Sequence, residues 1–280
     1  MGDKPIQASA KSIRISSLSS LDIGNHYDRF AWAYRRYWGD HIHHGLFLTG
    51  QEDREESQQL MLHHCAQRVG VLAGMHVADV GCGHGATANL LAREYGCNVL
   101  GLTISEAQLK LARGACSSLD GSVRFELANA EKYAFAPGSF DVIWNMESSE
   151  HFFDKPAYFR KVATALKPSG RLMVAAWTGS MKDRLIRDVA RVFLCPELWT
   201  AHEYTAHMEQ AGLRVRSCEQ LSTEVARTWD ICAEQVQRSR WLLALLPAAF
   251  SEFAQGIELM REGYGNGQLT YTILVADCPK

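Results

Sequence analysis

The stretch Asp79-Val80-Gly81-Cys82-Gly83-His84-Gly85-Ala86 lies between a short apolar run, residues 76–80, and an Ala- and Leu-rich segment, residues 86–95. Glycines turn a backbone this sharply, and their missing side chains let a ligand lie against the main chain near a helix N-terminus. Gly81, Gly83 and Ala86 formally satisfy the Gly-x-Gly-x-x-Gly/Ala dinucleotide fingerprint. A nicotinamide site would place Asp or Glu about 20 residues further on to hold the ribose hydroxyls. Here the second apolar run ends Gly101-Leu102-Thr103-Ile104-Ser105, without that carboxylate. A second constellation, Glu147, Glu150 and His151, follows the apolar run 140–146 directly. In open α/β sheets ligand chemistry gathers at the carboxyl ends of strands. A spacing of three and four residues puts Glu150 and His151 on the same side of a helical turn as Glu147, which allows a coupled carboxylate–imidazole set. In such a set the imidazole accepts a proton and a glutamate orients it.

These residues need a scaffold. Strands are expected over residues 76–80, 98–103, 123–128, 140–146, 171–177, 214–218 and 269–276, from short β-branched and apolar runs bounded by turn residues. Helices are expected over 86–95, from Ser105 onward with its hydroxyl as cap, and over 158–166, 183–193, 202–211 and 223–262. Strands separated by helices imply a doubly wound, mostly parallel sheet of seven strands. Residues 1–20 read as a flexible tail, and 21–72 as a helical cap whose aromatics, from His26 to Trp38, fall at helical spacing. Residues 73–178 form the expected ligand-binding core, and 179–280 its continuation with a helical substrate-binding insertion.

Lys plus Arg number 29 against 31 Asp plus Glu, so the chain lacks the basic excess that a phosphate-neutralising surface needs, and no nucleic-acid partner is expected. A composition 47% hydrophobic and 21% charged is too apolar and too weakly charged for disorder. The eight cysteines contain no Cys-x-x-Cys and read as reduced thiols in a cytoplasm. The N-terminus has no continuous apolar stretch, and the run 241–250 is short and holds Pro247, so neither export nor stable membrane insertion is expected. His41, His43, His44, His63 and His64 lack a familiar ligand spacing, and no metal is expected.

The glycine turn, with Gly101-Leu102-Thr103-Ile104-Ser105 and Gln108, Ala128-Asn129-Ala130-Glu131, Ser139-Phe140-Asp141-Val142-Ile143-Trp144 and Leu166-Lys167-Pro168-Ser169-Gly170-Arg171, resembles the class I S-adenosylmethionine-dependent methyltransferases. The resemblance implies a Rossmann-like core with S-adenosylmethionine as cofactor. It puts Asp79, Gly81, Cys82, Gly83 and Gly85 by the methionine part, Thr103, Ile104 and Gln108 by the ribose, and Asn129, Ala130 and Glu131 by the adenine. Tyr27, as a contact from the lid over the cofactor, and Asn145 are further cofactor-binding candidates. Thr103 stands where the class commonly has an acid, and Asn129 where it commonly has Asp. A narrower resemblance, to the γ-tocopherol methyltransferase-like group, rests on Trp38-Gly39-Asp40-His41-Ile42-His43-His44-Gly45 and Met146-Glu147-Ser148-Ser149-Glu150-His151, with Thr228-Trp229 and Met260 to Tyr264 in support.

That group implies a small lipophilic acceptor, aromatic or isoprenoid, in secondary metabolism. Glu147, Glu150 and His151 are then the catalytic candidates, and Trp38, His43, His44 and Trp229 the substrate-binding ones. Trp241, Phe250 and Phe253 join Trp229 as candidate pocket wall. The rivals are a C-methyltransferase of prenyl diphosphates, in which Arg35 and Arg36 would hold the diphosphate with Mg²⁺, and a cofactor-binding regulatory protein without turnover. A nicotinamide oxidoreductase stands last. A monomer or homodimer is expected.

Overall fold

The computed structural model describes residues 18–116, 122–238 and 249–279. Residues 1–17 of the expected tail and Trp241 lie outside these, as do the side chains of Phe250 and Phe253. The chain runs α1 (Ser20–Tyr37), α2 (Arg54–Val69), β1 (His76–Val80), α3 (Ala86–Tyr95), β2 (Asn98–Thr103), α4 (Glu106–Ala115), β3 (Val123–Leu127) and β4 (Phe140–Met146). A single 3₁₀ turn (Ser149–His151) leads into α5 (Lys155–Ala165) and β5 (Leu166–Gly179). There follow α6 (Arg184–Val192), α7 (Ala201–Gln210), β6 (Arg214–Gln220), α8 (Ser222–Arg238), α9 (Ala249–Gly265) and β7 (Leu269–Asp277).

The seven strands form one sheet in the order β3-β2-β1-β4-β5-β7-β6. β1 to β5 pair in parallel, and β7 runs antiparallel to both β5 and β6. The expected doubly wound, mostly parallel sheet is thus the observed one. Successive strand residues point to opposite faces, and both faces are covered. Val77, Val142, Trp144, Met173 and Val275 pack with Met61, Cys65 and Leu91 on one side. Ala78, Ile143, Val174 and Leu274 pack with Tyr158, Phe159, Tyr204 and Met208 on the other.

After β1 the chain winds outward to β2 and β3, then crosses back to place β4 on the other flank of β1. Such a reversal opens a crevice at the carboxyl ends of the two central strands. The glycine turn follows β1 there, and Glu147 follows β4.

Two local features differ from the sequence expectation. α1 starts at Ser20 because Ser19 and Asp22 form a capping box, Asp22 N–H donating to Ser19 Oγ and Ser19 N–H to Asp22 Oδ2. The ordered cap therefore begins before His26 and overlaps the end of the expected tail. Residues 167–170, between the helix expected over 158–166 and the strand expected over 171–177, sit within β5 as a bulge: Phe140 pairs with Leu166, Val142 with Arg171, and Ser169 takes a left-handed conformation between them. Among the described residues no helix is long and apolar enough to cross a membrane. All eight cysteines are unpaired.

Candidate active site

Gly81, Gly83 and Gly85 all have positive φ, 75°, 52° and 81°, which is why the turn after β1 is built of glycine. Their surroundings separate their roles. A Cβ on Gly81 would run into Ser148 Cβ, and one on Gly85 would lie 2.7 Å from the Phe125 ring and 2.8 Å from Ala112. These two let the turn pack against its neighbours. A Cβ on Gly83 would meet only Ile42 Cδ1, at 3.8 Å, and would otherwise project into open space. Gly83 is therefore the glycine over which a ligand can lie.

That space is a cavity lined by Tyr27, Asp79, Gly81, Cys82 and Gly83, by Thr103, Ile104 and Gln108, by Asn129, Ala130 and Glu131, and by His43, Glu147 and His151. At the end of β1, Asp79 is 3% exposed and its Oδ2 has no partner. Burial pushes its carboxyl up to about 7, against the opposing pull of the Ala88 N–H. An orphaned carboxylate beside an open glycine fits a ligand that carries a positive charge. Thr103 stands where an acid would hold a ribose; its hydroxyl donates to Gln108 Oε1 at 2.8 Å, so the two form one polar patch. Asn129 Oδ1 accepts the Glu131 N–H at 2.8 Å. Glu131 Oε1 accepts the N–H groups of Phe153 and Asp154, at 2.8 and 2.7 Å, so that oxygen ties down the loop before α5.

The cavity is roofed by α1. Gly24 lets the helix approach closely, since a Cβ there would lie 2.9 Å from the Ile104 carbonyl. Asp28 Oδ1 accepts from Ser105 Oγ at 2.6 Å and from the Ala107 N–H at 2.9 Å, so α1 supplies an anion to the N-terminus of α4. Ser105 itself caps α4 through the Gln108 N–H, as its sequence position implies. Tyr27 lies 2.9 Å from His151 Nε2. The opposite ring nitrogen of His151 faces the Leu194 carbonyl at 3.2 Å. A carbonyl only accepts, so Nδ1 holds the proton, and Tyr27 O–H donates to Nε2. Burial pushes the His151 imidazole down to about 4, which keeps it neutral.

The glutamates are placed otherwise than helical spacing implies. Glu147 has φ 50°, a left-handed conformation rare outside glycine, and Ser149–His151 forms one 3₁₀ turn, so no helix aligns the three side chains. The Glu147 side chain, 5% exposed, is a hydrogen-bond hub. Oε1 accepts the His44 N–H at 2.7 Å and Tyr271 O–H at 2.9 Å, while Oε2 faces His44 Nδ1 and accepts Trp177 Nε1–H, both at 2.9 Å. Burial raises its carboxyl, but His44 beside it, with these bonds, leaves it below the usual carboxylate range. Glu150 is fully buried off the cavity, where Oε1 accepts the Trp177 backbone N–H at 2.9 Å. Burial, then repulsion from Glu147, pushes Glu150 up to about 8, so it carries a proton at neutral pH. Neither glutamate bonds His151.

Other expected contacts also lie away from the cavity. His44, 1% exposed, accepts at Nε2 from Trp229 Nε1–H at 2.7 Å and lies 3.1 Å from Tyr264 O–H. An indole N–H only donates, so the His44 proton is on Nδ1, toward Glu147. Trp38 and Trp229 pack edge to face, 5.2 Å apart, in the core. Asn145 is buried beneath the 3₁₀ turn, accepting from Ser148 Oγ and the Ser149 N–H and donating to Tyr158. Gly85 packs on Phe125. These residues position the site. Asp28, Trp177, Tyr271 and the Leu194 carbonyl escaped the sequence reading; only the Ser105 cap hinted that an anion belongs nearby. Arg35, expected to hold a diphosphate in one rival reading, pairs with Asp40 at 3.5 Å. Among the described residues no group of three His, Cys, Asp or Glu side chains is placed to hold a metal.

Comparison with known proteins follows the same lines. The family model for mycolic acid cyclopropane synthetase matches residues 17–251. The chain is 30% identical to 27-O-demethylrifamycin SV methyltransferase of Amycolatopsis mediterranei (strain S699), over 92% of this chain and 97% of that protein. It is 26% identical to the chloroplastic tocopherol O-methyltransferase of Arabidopsis thaliana, over 92% and 82%. Its fold matches the solved mycolic acid cyclopropane synthase CmaA1 complexed with SAH and CTAB with TM-score 0.84 at 19% identity, covering 94% of this chain and 99% of that one. The glycine turn, the orphaned carboxylate over it and these matches agree: the chain belongs to the mycolic acid cyclopropane synthetase family of S-adenosylmethionine-dependent methyltransferases.

Proposed function

We propose that the chain methylates a hydroxyl of a small lipophilic acceptor, aromatic or isoprenoid, in secondary metabolism. The carrying observation is one roofed cavity that joins an anionic cradle, Asp79 over Gly83, to a set of imidazoles that includes the neutral His43 and His151. The relatives named for O-methylation of tocopherol and of a rifamycin support oxygen as the methylated atom. In this reading Asp79, Gly83 and the backbone of the turn hold the methionine part of the cofactor, Thr103, Ile104 and Gln108 the ribose, and Asn129 and Ala130 the adenine. The bound cofactor supplies a methyl group on a positively charged sulfur. α1, fastened through Asp28 and Tyr27, excludes water and aligns acceptor with methyl, which is the large requirement of an in-line displacement. Glu147 holds His44, and through it the His43 loop, in place; Glu150 holds the turn that presents His151. The eight free thiols support a reducing, cytoplasmic setting.

The test is incubation with methyl-labelled S-adenosylmethionine and a panel of phenols, indoles and prenyl diphosphates, with and without Mg²⁺, alongside calorimetry with SAH. Label entering an ether of a phenol without metal is the expected result. Transfer only to a prenyl diphosphate with Mg²⁺, or SAH binding with no product, would replace this reading with one of its rivals.

A further inference from the structure

Four imidazoles line the cavity. His41 Nδ1 and both ring nitrogens of His84 lack hydrogen-bond partners, so no ring hydrogen bond fixes which of their nitrogens accepts. His43 and His151 each have a ring nitrogen held by a backbone carbonyl, and their remaining bonds divide them. His151 has both ring nitrogens engaged, Nδ1–H toward the Leu194 carbonyl and Nε2 by Tyr27 O–H. His43 does not. Its Nδ1 lies 2.8 Å from the His44 carbonyl, so Nδ1 carries the proton and donates. Its Nε2, on the opposite edge of a ring that is 4% exposed and lines the cavity, has no hydrogen-bond partner. A buried nitrogen left with an unused lone pair is uncommon, because desolvating it without a bond is unfavourable. Here the backbone fixes it in the one tautomer that accepts and does not donate.

We infer that His43 is the general base of the reaction, its Nε2 taking the proton of the acceptor hydroxyl. This rests on the O-methylation reading and deepens it, because the sequence pattern singled out His151 for that task. The acceptor oxygen forms its bond to the methyl carbon as the sulfur–methyl bond breaks, and the electron pair of that bond stays on sulfur. The hydroxyl proton passes to His43 Nε2, and the resulting imidazolium returns it to water when product leaves. The Nδ1–H bond to the His44 carbonyl strengthens as the ring becomes charged. Glu147, one residue beyond that carbonyl in the network, favours the same charge. His44, the neighbouring imidazole, opposes it more weakly. Burial keeps the resting ring unprotonated. His151 then serves as a positioning residue, holding Tyr27 and thus α1 closed.

Two measurements test this. Nitrogen-15 spectra of histidine-labelled protein with SAH report the tautomer without any acceptor: His43 is expected to show a protonated Nδ1 and a bare Nε2, and its signal is assigned by its disappearance in His43→Asn. That variant keeps a donor toward the His44 carbonyl and deletes the accepting atom. Its turnover on phenol is expected to fall about 10²- to 10⁴-fold, with SAH affinity unchanged, and the deficit to shrink on 4-nitrophenol, which ionises in neutral water. His151→Asn is expected to lose a similar factor on both. A proton on His43 Nε2, a His43→Asn chain with parental turnover on phenol, or a deficit equal for both phenols would overturn the base role. Failure of the parent reading looks different: the unaltered chain would yield no labelled ether from any phenol.

Discussion

Replacing Asp79 by Asn separates what its buried carboxylate costs the fold from what it contributes to binding. The folded chain lifts this carboxyl from 3.8 to about 7, chiefly by burial. The folded state therefore keeps a proton between about pH 4 and pH 7 that the unfolded chain has already released, so stability falls as pH rises through that range and is level above it. At about 1.36 kcal/mol per pKa unit, the ionised form costs the fold up to about 4 kcal/mol above pH 7. The amide of the variant would keep an acceptor for the Ala88 N–H and remove the charge. Allowing for relaxation, Asp79→Asn is expected to stabilise the ligand-free chain by about 2–4 kcal/mol at pH 8, roughly 5–10 °C in Tm for a chain of this length. At pH 4 the gain should nearly vanish. The same substitution removes a charge-assisted contact worth about 1.5–3 kcal/mol, so SAH should bind roughly 10- to 100-fold more weakly. Scanning calorimetry at the two pH values, with and without SAH, reads both effects. A variant no more stable than the parent at pH 8 would refute the buried charge, and undiminished SAH affinity would refute its role in the cradle.

Four further outcomes follow from the geometry. Gly85→Ala drives a methyl into Phe125 and Ala112 at a left-handed position, and should lower stability by about 2–4 kcal/mol in denaturant titration. Gly83→Ala, with only Ile42 at 3.8 Å, should fold nearly as well as the parent yet bind SAH more weakly; the reverse pattern would mean that Gly85, not Gly83, faces the ligand. Glu150→Gln should leave turnover near the parental value at pH 7, because the carboxyl it replaces is already protonated below about 8 and an amide can keep the acceptor for the Trp177 N–H and a polar group beside Ser149 Oγ; a hundredfold loss would show an ionised catalytic group. Asp28→Ala removes the anion at the α4 N-terminus, at a cost of about 0.5–2 kcal/mol, and hydrogen exchange should show α1 amides opening faster, with SAH leaving sooner; unchanged exchange in α1 would refute the fastening of the roof.

The scaffold was legible because its strands are short apolar runs punctuated by glycine, and the expected bounds of β1, β2 and β4 coincide with the observed ones. The expected cap began at residue 21 and α1 begins at Ser20; the one-residue difference is the capping box of Ser19 and Asp22, which the Ser-rich segment before it masks. In the site, spacing misled. Glu147 and Glu150 are three residues apart, but a left-handed residue and a single 3₁₀ turn send their carboxylates to different partners, Trp177 side chain and His44 for one, Trp177 backbone for the other. The long-range partners were beyond reach in principle. Nothing local to Glu147 points to Tyr271, and nothing local to His151 points to the Leu194 carbonyl, because a hydrogen bond across a fold leaves no periodicity in the chain.

The Glu147 carboxylate also constrains how such a chain can diversify. Through its own bonds and those of His44 it gathers the segment after α1, strands β4, β5 and β7, and the helices carrying Trp229 and Tyr264. Those helices belong to the helical insertion expected from the sequence. A transplanted version of residues 222–265 would therefore need an indole donor at 229 and a phenol at 264, or it would strip the partners from His44 beside the cavity. Any replacement for those helices has to keep that shared attachment beside the bonds by which Thr228 and Ser222 accept from the Gly45 and Tyr271 backbones.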